Sequence, residues 1–242
     1  MLPAMLVLVT PRPAEPAGPV SVDLESGLAV PGYNDIRIPG DEGTEFSFVD
    51  DLDADHEPFF RARLTWHISE RHLLSGLVAP LRFSAAGSFD RSVLFEDRTF
   101  EPGMPVEATY RFDSYRLSYR YRLYQSSRLK FGAGFTAKIR DAEIGLEDPG
   151  GRAAKSNTGF VPLINFALEW RLGDRLDLLV RGDALAAPQG RAEDVLAALR
   201  YSVAERVAVR AGYRILEGGA DNDDVYNFTL VHYVGLGITV TP

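Results

Sequence analysis

The sequence predicts an all-β protein built as a single antiparallel up-and-down transmembrane β-barrel of about ten strands, within roughly 8–12. Three observations carry this. Apolar and polar residues alternate with a period of two in one segment after another, a pattern that only strands sort onto opposite faces. The segments are joined in turn by short turns and by long connections rich in Gly, Pro and acid. No apolar run approaches the roughly 18 residues of a membrane-spanning helix, whereas barrel strands announce themselves only by alternation.

Residues 1–18 fall outside the predicted fold. Their apolar stretch Met5 to Val9, followed by Pro and Ala, reads as a signal-peptide remnant or a disordered N-terminal tail. Residues 19–242 form the barrel domain. Val20, Val22 and Leu24 against Ser21, Asp23 and Glu25 mark the first strand, and a long connection follows from 31 to 57. Phe60, Ala62, Leu64, Trp66 and Ile68 then alternate with Arg61, Arg63, Thr65 and His67, ending at the short turn Ser69-Glu70-Arg71. A third strand, His72 to Ala86, gathers Leu73, Leu77, Ala79, Leu81 and Phe83 on its apolar face, interrupted by Ser75. Residues 87–105 are the second long connection.

The hairpin Tyr115 to Arg140 shows the pattern most fully. Tyr115, Leu117, Tyr119, Tyr121 and Leu123 oppose Arg116, Ser118, Arg120 and Arg122; past the turn Gln125-Ser126-Ser127, Leu129, Phe131, Phe135 and Ile139 oppose Lys130, Thr136, Lys138 and Arg140. Tyr110 and Phe112 have the other parity from Tyr115, which predicts a β-bulge near Asp113 or Ser114. A third long connection is predicted over Gly145 to Thr158. Five further strands follow: Phe160 to Arg171, Leu176 to Ala184, Val195 to Tyr201, Val207 to Ile215 and Tyr226 to Val240. They are separated by Gly173-Asp174, Ala187-Pro188-Gln189-Gly190, Ala204-Glu205 and the acidic loop Gly218 to Asp224.

Composition narrows the function. A net charge of −8 argues against nucleic acid as a partner, because phosphate binding needs a basic surface. The absence of cysteine removes disulfides, CxxC redox chemistry and thiolate metal sites. No repeat of propeller or solenoid period is present.

On this strand pattern, and on the ending NFTLVHYVGLGITV, the chain resembles bacterial outer-membrane β-barrel proteins over about residues 20 to 240. It departs from their usual pattern by ending in Thr241-Pro242 instead of an aromatic residue. The resemblance implies short periplasmic turns, long external loops, and the outer membrane of a Gram-negative-type bacterium as the address. The partners it implies are outer-membrane lipid, lipopolysaccharide and the barrel assembly machinery.

With the Tyr/Leu/Phe face toward lipid, the interior becomes basic. Arg61, Arg63, Arg116, Arg120, Lys130, Lys138, Arg181, Arg200, Arg210 and Arg214 point inward, against the acids Glu169, Asp177 and Asp183. Either these charges pair and plug the lumen, as the side chains of a barrel this narrow largely fill it, or their excess makes a narrow anion-permissive, porin-like pore. Asp50, Asp51, Asp53 and Asp55 space carboxylates as a hard cation would need, with Asp51, Asp53 and Asp55 the candidate trio, yet no EF-hand turn completes them. Solvated loop charge is the simpler account, as for Asp221, Asp223 and Asp224. Of the four histidines, His56 lies among loop acids where an Asp-His pair with Asp51, Asp53 or Asp55 is conceivable; His67 and His72 flank a short turn, and His232 shares the lipid-facing parity. Gly132-Ala133-Gly134 lies within a strand and is no dinucleotide fingerprint.

The sequence therefore predicts a non-catalytic barrel with a structural, adhesive or ligand-contacting role, no cofactor and no identified small-molecule ligand. Two alternatives stay open: a surface hydrolase acting from the external loops, and a soluble closed barrel holding an apolar ligand on its aromatic face.

Overall fold

The computed structural model describes residues 19–188 and 190–242, so the reading of a signal remnant over 1–18 lies outside the described residues. Its strands are β1 (Val20–Arg37), β2 (Phe46–Ser47), β3 (Leu52–Ala54), β4 (Glu57–His67), β5 (His72–Ala79), β6 (Arg82–Gly87), β7 (Val93–Phe95), β8 (Arg98–Phe100), β9 (Val106–Gln125), β10 (Leu129–Asp148), β11 (Gly151–Arg171), β12 (Leu176–Ala187), β13 (Gly190–Ala204), β14 (Val207–Asp221) and β15 (Tyr226–Val240). Ten of them, β1, β4, β5 and β9 to β15, pair antiparallel in sequence order, and β15 returns to β1 from Val22 opposite Val240 to Arg37 opposite Tyr226. Closure leaves no sheet edge unpaired in lipid, where a bare N–H or C=O has no water to bond.

The outer surface is a continuous apolar belt. Leu24, Leu64, Val78, Leu117, Phe135, Ile164, Leu199, Val209 and Leu236 are exposed on successive walls, with Phe135 at 69% and Leu236 at 68%. So much contiguous exposed hydrocarbon is stable only against lipid. Trp66, Tyr124, Trp170 and Tyr201 lie exposed beside the short turns, where amphipathic rings meet the membrane–water interface. This overturns the soluble-barrel alternative, which needs the aromatic face inside.

Neighbouring strands correct three local expectations. In the third wall the predicted apolar face is the inner one: Leu73, Ser75, Leu77, Ala79, Leu81 and Phe83 are all buried. Directly paired residues share a face, and Leu77 pairs with inward Arg116, so it points inward too. β6 continues this wall in the same register on β9 after a break at Pro80, which has no N–H to donate. The second correction follows from that pairing. No bulge occurs at Asp113 or Ser114, since Tyr110 and Phe112 share the inward face with Ser114 and Arg116. The register shifts lie at Pro31/Tyr33, Phe131/Gly132 and Ser202/Ala204. Third, the connection predicted over Gly145 to Thr158 is strand: β10 and β11 pair without interruption to Asp148 opposite Gly151, making a hairpin that rises beyond the barrel rim.

The other two long connections fold inward and cap the outer mouth. Ile38, Phe46, Phe48, Phe89, Val93, Phe95 and Phe100 are essentially fully buried against Leu81, Phe83, Tyr110, Leu146 and Val231 of the walls. Phe46 meets Phe89 edge-on at 5.5 Å and Phe83 stacks on Tyr110 at 4.7 Å. Each such ring withdrawn from water contributes on the order of 2–3 kcal/mol.

The closing seam depends on a glycine pair. Gly27 stands opposite Gly235 on β15 and opposite Phe59 on β4, and the Phe59 ring leans across Gly235 onto Tyr233, 4.9 Å away. A Cβ on Gly27 would collide with the Val234 carbonyl oxygen. Gly27→Val is expected to lower the stability of the folded barrel by about 1–3 kcal/mol. Heat-modifiable gel migration and urea unfolding would register it. Gly76→Ala, where an added Cβ meets nothing within 4 Å, should leave both unchanged.

Candidate functional site

The ten predicted basic residues all line the inner face: Arg61, Arg63, Arg116, Lys138, Arg210 and Arg214 are buried, and Arg120, Lys130, Arg181 and Arg200 half-buried. Asp177 and Asp183 are buried and Glu169 half-buried among them. Three more acids, absent from the predicted set, hold the centre: Asp23, Glu25 and Asp194. Their signal was present, since each alternates with outward apolar residues such as Val22, Leu24 and Val195.

These groups form a lattice across the lumen. Arg61 and Arg116 donate to Asp194 Oδ2 at 2.7 and 2.6 Å, and Arg214 reaches its Oδ1. Arg214 also donates to Glu25 at 2.8 Å, as does Arg210 at 2.7 Å. Asp23 takes Arg181 at 2.8 Å together with Arg210. On the opposite wall, Asp183 accepts from Arg116 at 2.8 Å and from Asn165 at 2.7 Å. Toward the short turns, Arg200 bridges Glu169 and Asp177 at 2.9 and 3.0 Å. Lys138 sits 4.7 Å over the Phe112 ring.

Along its axis the lumen therefore has three tiers: the apolar cap outside, the ion-pair lattice in the middle, and a cavity of about 700 Å³ opening among the short turns. Arg63 lines that cavity, makes no hydrogen bond or ion pair among the described residues, and has its Nε buried without a partner.

The loop candidates do not assemble. Arg91 grips Asp51 through both guanidinium ends at 2.9 Å, and Asp51 also accepts the Ser47 N–H at 2.8 Å, while Asp50, Asp53 and Asp55 are exposed. Among the described residues no three His, Asp or Glu side chains converge as a metal site, so the Asp51, Asp53, Asp55 trio is a latch residue and two solvated charges. The hydrogen bonds from Arg91 hold the Asp51 carboxyl below its ordinary pKa, with burial opposing. His56 is exposed and bonds to none of the neighbouring aspartates among the described residues, which removes the proposed Asp-His pair. His67 points inward, 3.2 Å from the Ser21 hydroxyl, whereas His72 and His232 lie on the outer face against the Tyr119 and Tyr213 hydroxyls at 2.7 and 2.5 Å. Asp221 at the end of β14 and Asp223 and Asp224 in the β14–β15 turn are exposed.

No protein-family model matches the chain, and no curated protein sequence matches it. Among solved structures, the backbone is similar to the outer membrane protease OmpT of Escherichia coli, with a TM-score of 0.55 and 9% identity over 92% of this chain and 96% of that one. Two other similar structures are the translocator domain of the autotransporter NalP from Neisseria meningitidis (TM-score 0.47, 11% identity, 93% and 88% covered) and Ail, the attachment invasion locus protein of Yersinia pestis (0.40, 11%, 91% and 98%). The likeness to OmpT, together with the lipid-facing belt, establishes the outer-membrane β-barrel fold.

Two expectations follow from this geometry. Asp194→Ala leaves Arg61, Arg116 and Arg214 without their shared counter-charge, and should cost about 3–5 kcal/mol in urea unfolding from lipid vesicles; Asp194→Asn should lose less. The Asp51–Arg91 latch has its carboxyl pKa depressed in the folded state, so its contribution is complete above the ordinary carboxylate range and disappears as pH falls through the depressed value. The protection factors of the amides at residues 44–52, taken relative to their intrinsic exchange at each pH, should fall on acidification in the wild type and should already be low at neutral pH in Arg91→Ala.

Proposed function

We propose that this outer-membrane β-barrel is a non-catalytic, non-conducting scaffold that meets its partners through its external surface. The observation that carries the reading is the lumen closed in series by the apolar cap and the Asp194–Glu25 lattice, whose members are nearly inaccessible to solvent. A path for ions would have to cross both tiers. The excess of inward arginine therefore argues for plugging by pairs, and the anion-permissive pore loses its main support.

The external surface suits a contact role. The β10–β11 hairpin is braced by Arg111 to Glu143 at 3.4 Å, Arg152 to Glu143 at 2.8 Å and Lys155 to Glu96 at 2.9 Å, so it stands as a fixed polar blade. Lipopolysaccharide is the partner nearest to hand, with divalent cations shared between its phosphates and exposed acids such as Asp53 and Asp223. The assembly machinery would receive the chain through its last strand, β15. The hydrolase alternative draws on the protease OmpT only through a likeness of fold, and His56 bonds to no acid among the described residues.

Planar-bilayer recording of the folded full chain tests the reading. The wild type should be silent. Shortening both cap connections should leave it silent, because the lattice still closes the middle, and adding Asp194→Ala and Arg116→Ala to that variant should open a measurable conductance. Steady unitary currents from folded wild-type protein would overturn the closed lumen.

A further inference from the structure

The cavity among the short turns is the one tier of the lumen left empty by side chains, and its charge is unbalanced. Among the described residues, six arginines and four carboxylates line it. Two of those carboxylates, Asp23 and Glu169, are already engaged by Arg181 and Arg200. Among the buried arginines, Arg63 is the exception to the ion pairing. It stands directly opposite Asp23 across the β1–β4 ladder, yet the Asp23 oxygens are taken by Arg181, Arg210 and Thr239. Arg63 is only 9% exposed, and no described group accepts from it. Arg120, on β9, gives its Nε to the neutral Asn165 side-chain oxygen at 2.6 Å and makes no ion pair among the described residues.

Arg63 feels the Asp183 carboxylate only through space, its Nε is buried without a partner, and it faces the cavity, whereas the other buried arginines, Arg61, Arg116, Arg210 and Arg214, each hold a carboxylate directly. Such a group facing a cavity is instead suited to an anion that enters from outside. We propose that the barrel holds a periplasm-facing site in which Arg63 and Arg120 clasp a phosphate group, either free or carried as a monoester of a small molecule. Planar guanidinium forks match tetrahedral oxyanions by paired N–H donation. Leu73, the cross-strand neighbour of Arg120, and Leu179 line the same cavity and offer a wall for the carbon body of an ester. The volume of about 700 Å³ is that of a small-molecule pocket. This site rests on the closed lumen proposed above, which makes the cavity a blind pocket and not a stretch of channel.

Calorimetric titration of the folded full chain in detergent, in chloride buffer, with inorganic phosphate and separately with glycerol 3-phosphate, tests the site. Saturable binding is expected, weakened about tenfold or more by Arg63→Gln and by Arg120→Gln, the loss of a charged hydrogen-bond donor in each case. Arg63→Gln removes an unpaired charge and should fold, as heat-modifiable migration will report; Arg63→Lys, which keeps the charge but not the fork, should fall between. Arg91→Gln, in the external cap, should bind as wild type. Tighter binding of the ester assigns the esterified ligand, and equal affinity assigns free phosphate. Absence of uptake by folded wild-type protein, or binding unchanged in both glutamine variants, overturns the site. Bilayer recording on the same preparation separates the two readings: a silent barrel that fails to bind sinks the phosphate site alone, whereas a conducting one sinks the closed lumen with it.

Discussion

Everything inside the barrel depends on the sharing of a few carboxylates among many guanidiniums. Asp194 is held by three arginines from β4, β9 and β14, and Glu25 by two from β14. A buried charge is tolerable only with its counter-charge in place. The lattice therefore links opposite walls as well as neighbours, and it ties the register of each strand to the others. A slip of one residue in β13 would send Asp194 into lipid, strand Arg61 and leave Arg116 and Arg214 with Asp183 and Glu25 alone. The same groups that specify the fold also occupy the space through which solute would pass.

Outward of the lattice the lumen changes character. The cap replaces charge with aromatic packing, because the connections around Phe46, Phe48, Phe95 and Phe100 carry more apolar surface than an exposed loop can leave in water. The Arg91 grip on Asp51 pins the first connection from the solvent side. Inward, toward the short turns, Arg200 still holds Glu169 and Asp177, yet a cavity remains beside Arg63, which has no hydrogen-bonded partner among the described residues. That gradient from apolar cap to paired charge to a cavity lined by Arg63 gives the lumen a direction.

Much of this was legible in the chain. The alternation located all ten walls, and the ten inward basic residues follow from parity alone. The acids that neutralise them were legible in principle: Asp23, Glu25 and Asp194 share the polar parity of their strands. What misled was strand three. Its apolar residues alternate as regularly as those of any lipid-facing strand, and only the pairing of Leu77 with Arg116 turns them inward. Tyr110 and Phe112 likewise look like membrane-facing aromatics from within β9, although they belong to the core beneath the cap. In the span 145–158, Gly and Pro near the tip suggested a loop, while the paired backbone of β10 and β11 continues as sheet to the two-residue turn.

The sequence by itself determined that the protein is built of antiparallel strands closed into a barrel, because a period of two recurs in ten segments without any long apolar run; that the apolar face meets lipid was settled by its exposure in the closed barrel. The sequence also determined which residues share a face within each strand. Only the tertiary structure decided which face is inner in the third wall, whether the long connections stay outside or fold in, and whether the arginines are paired. The physical reason is the same in each case. Parity is a local property of the extended backbone, whereas burial and charge neutralisation belong to groups brought together from distant strands. Arg63 shows this most plainly: its sequence context is that of Arg61, two residues away, and only the closed barrel gives one a carboxylate and leaves the other facing a cavity.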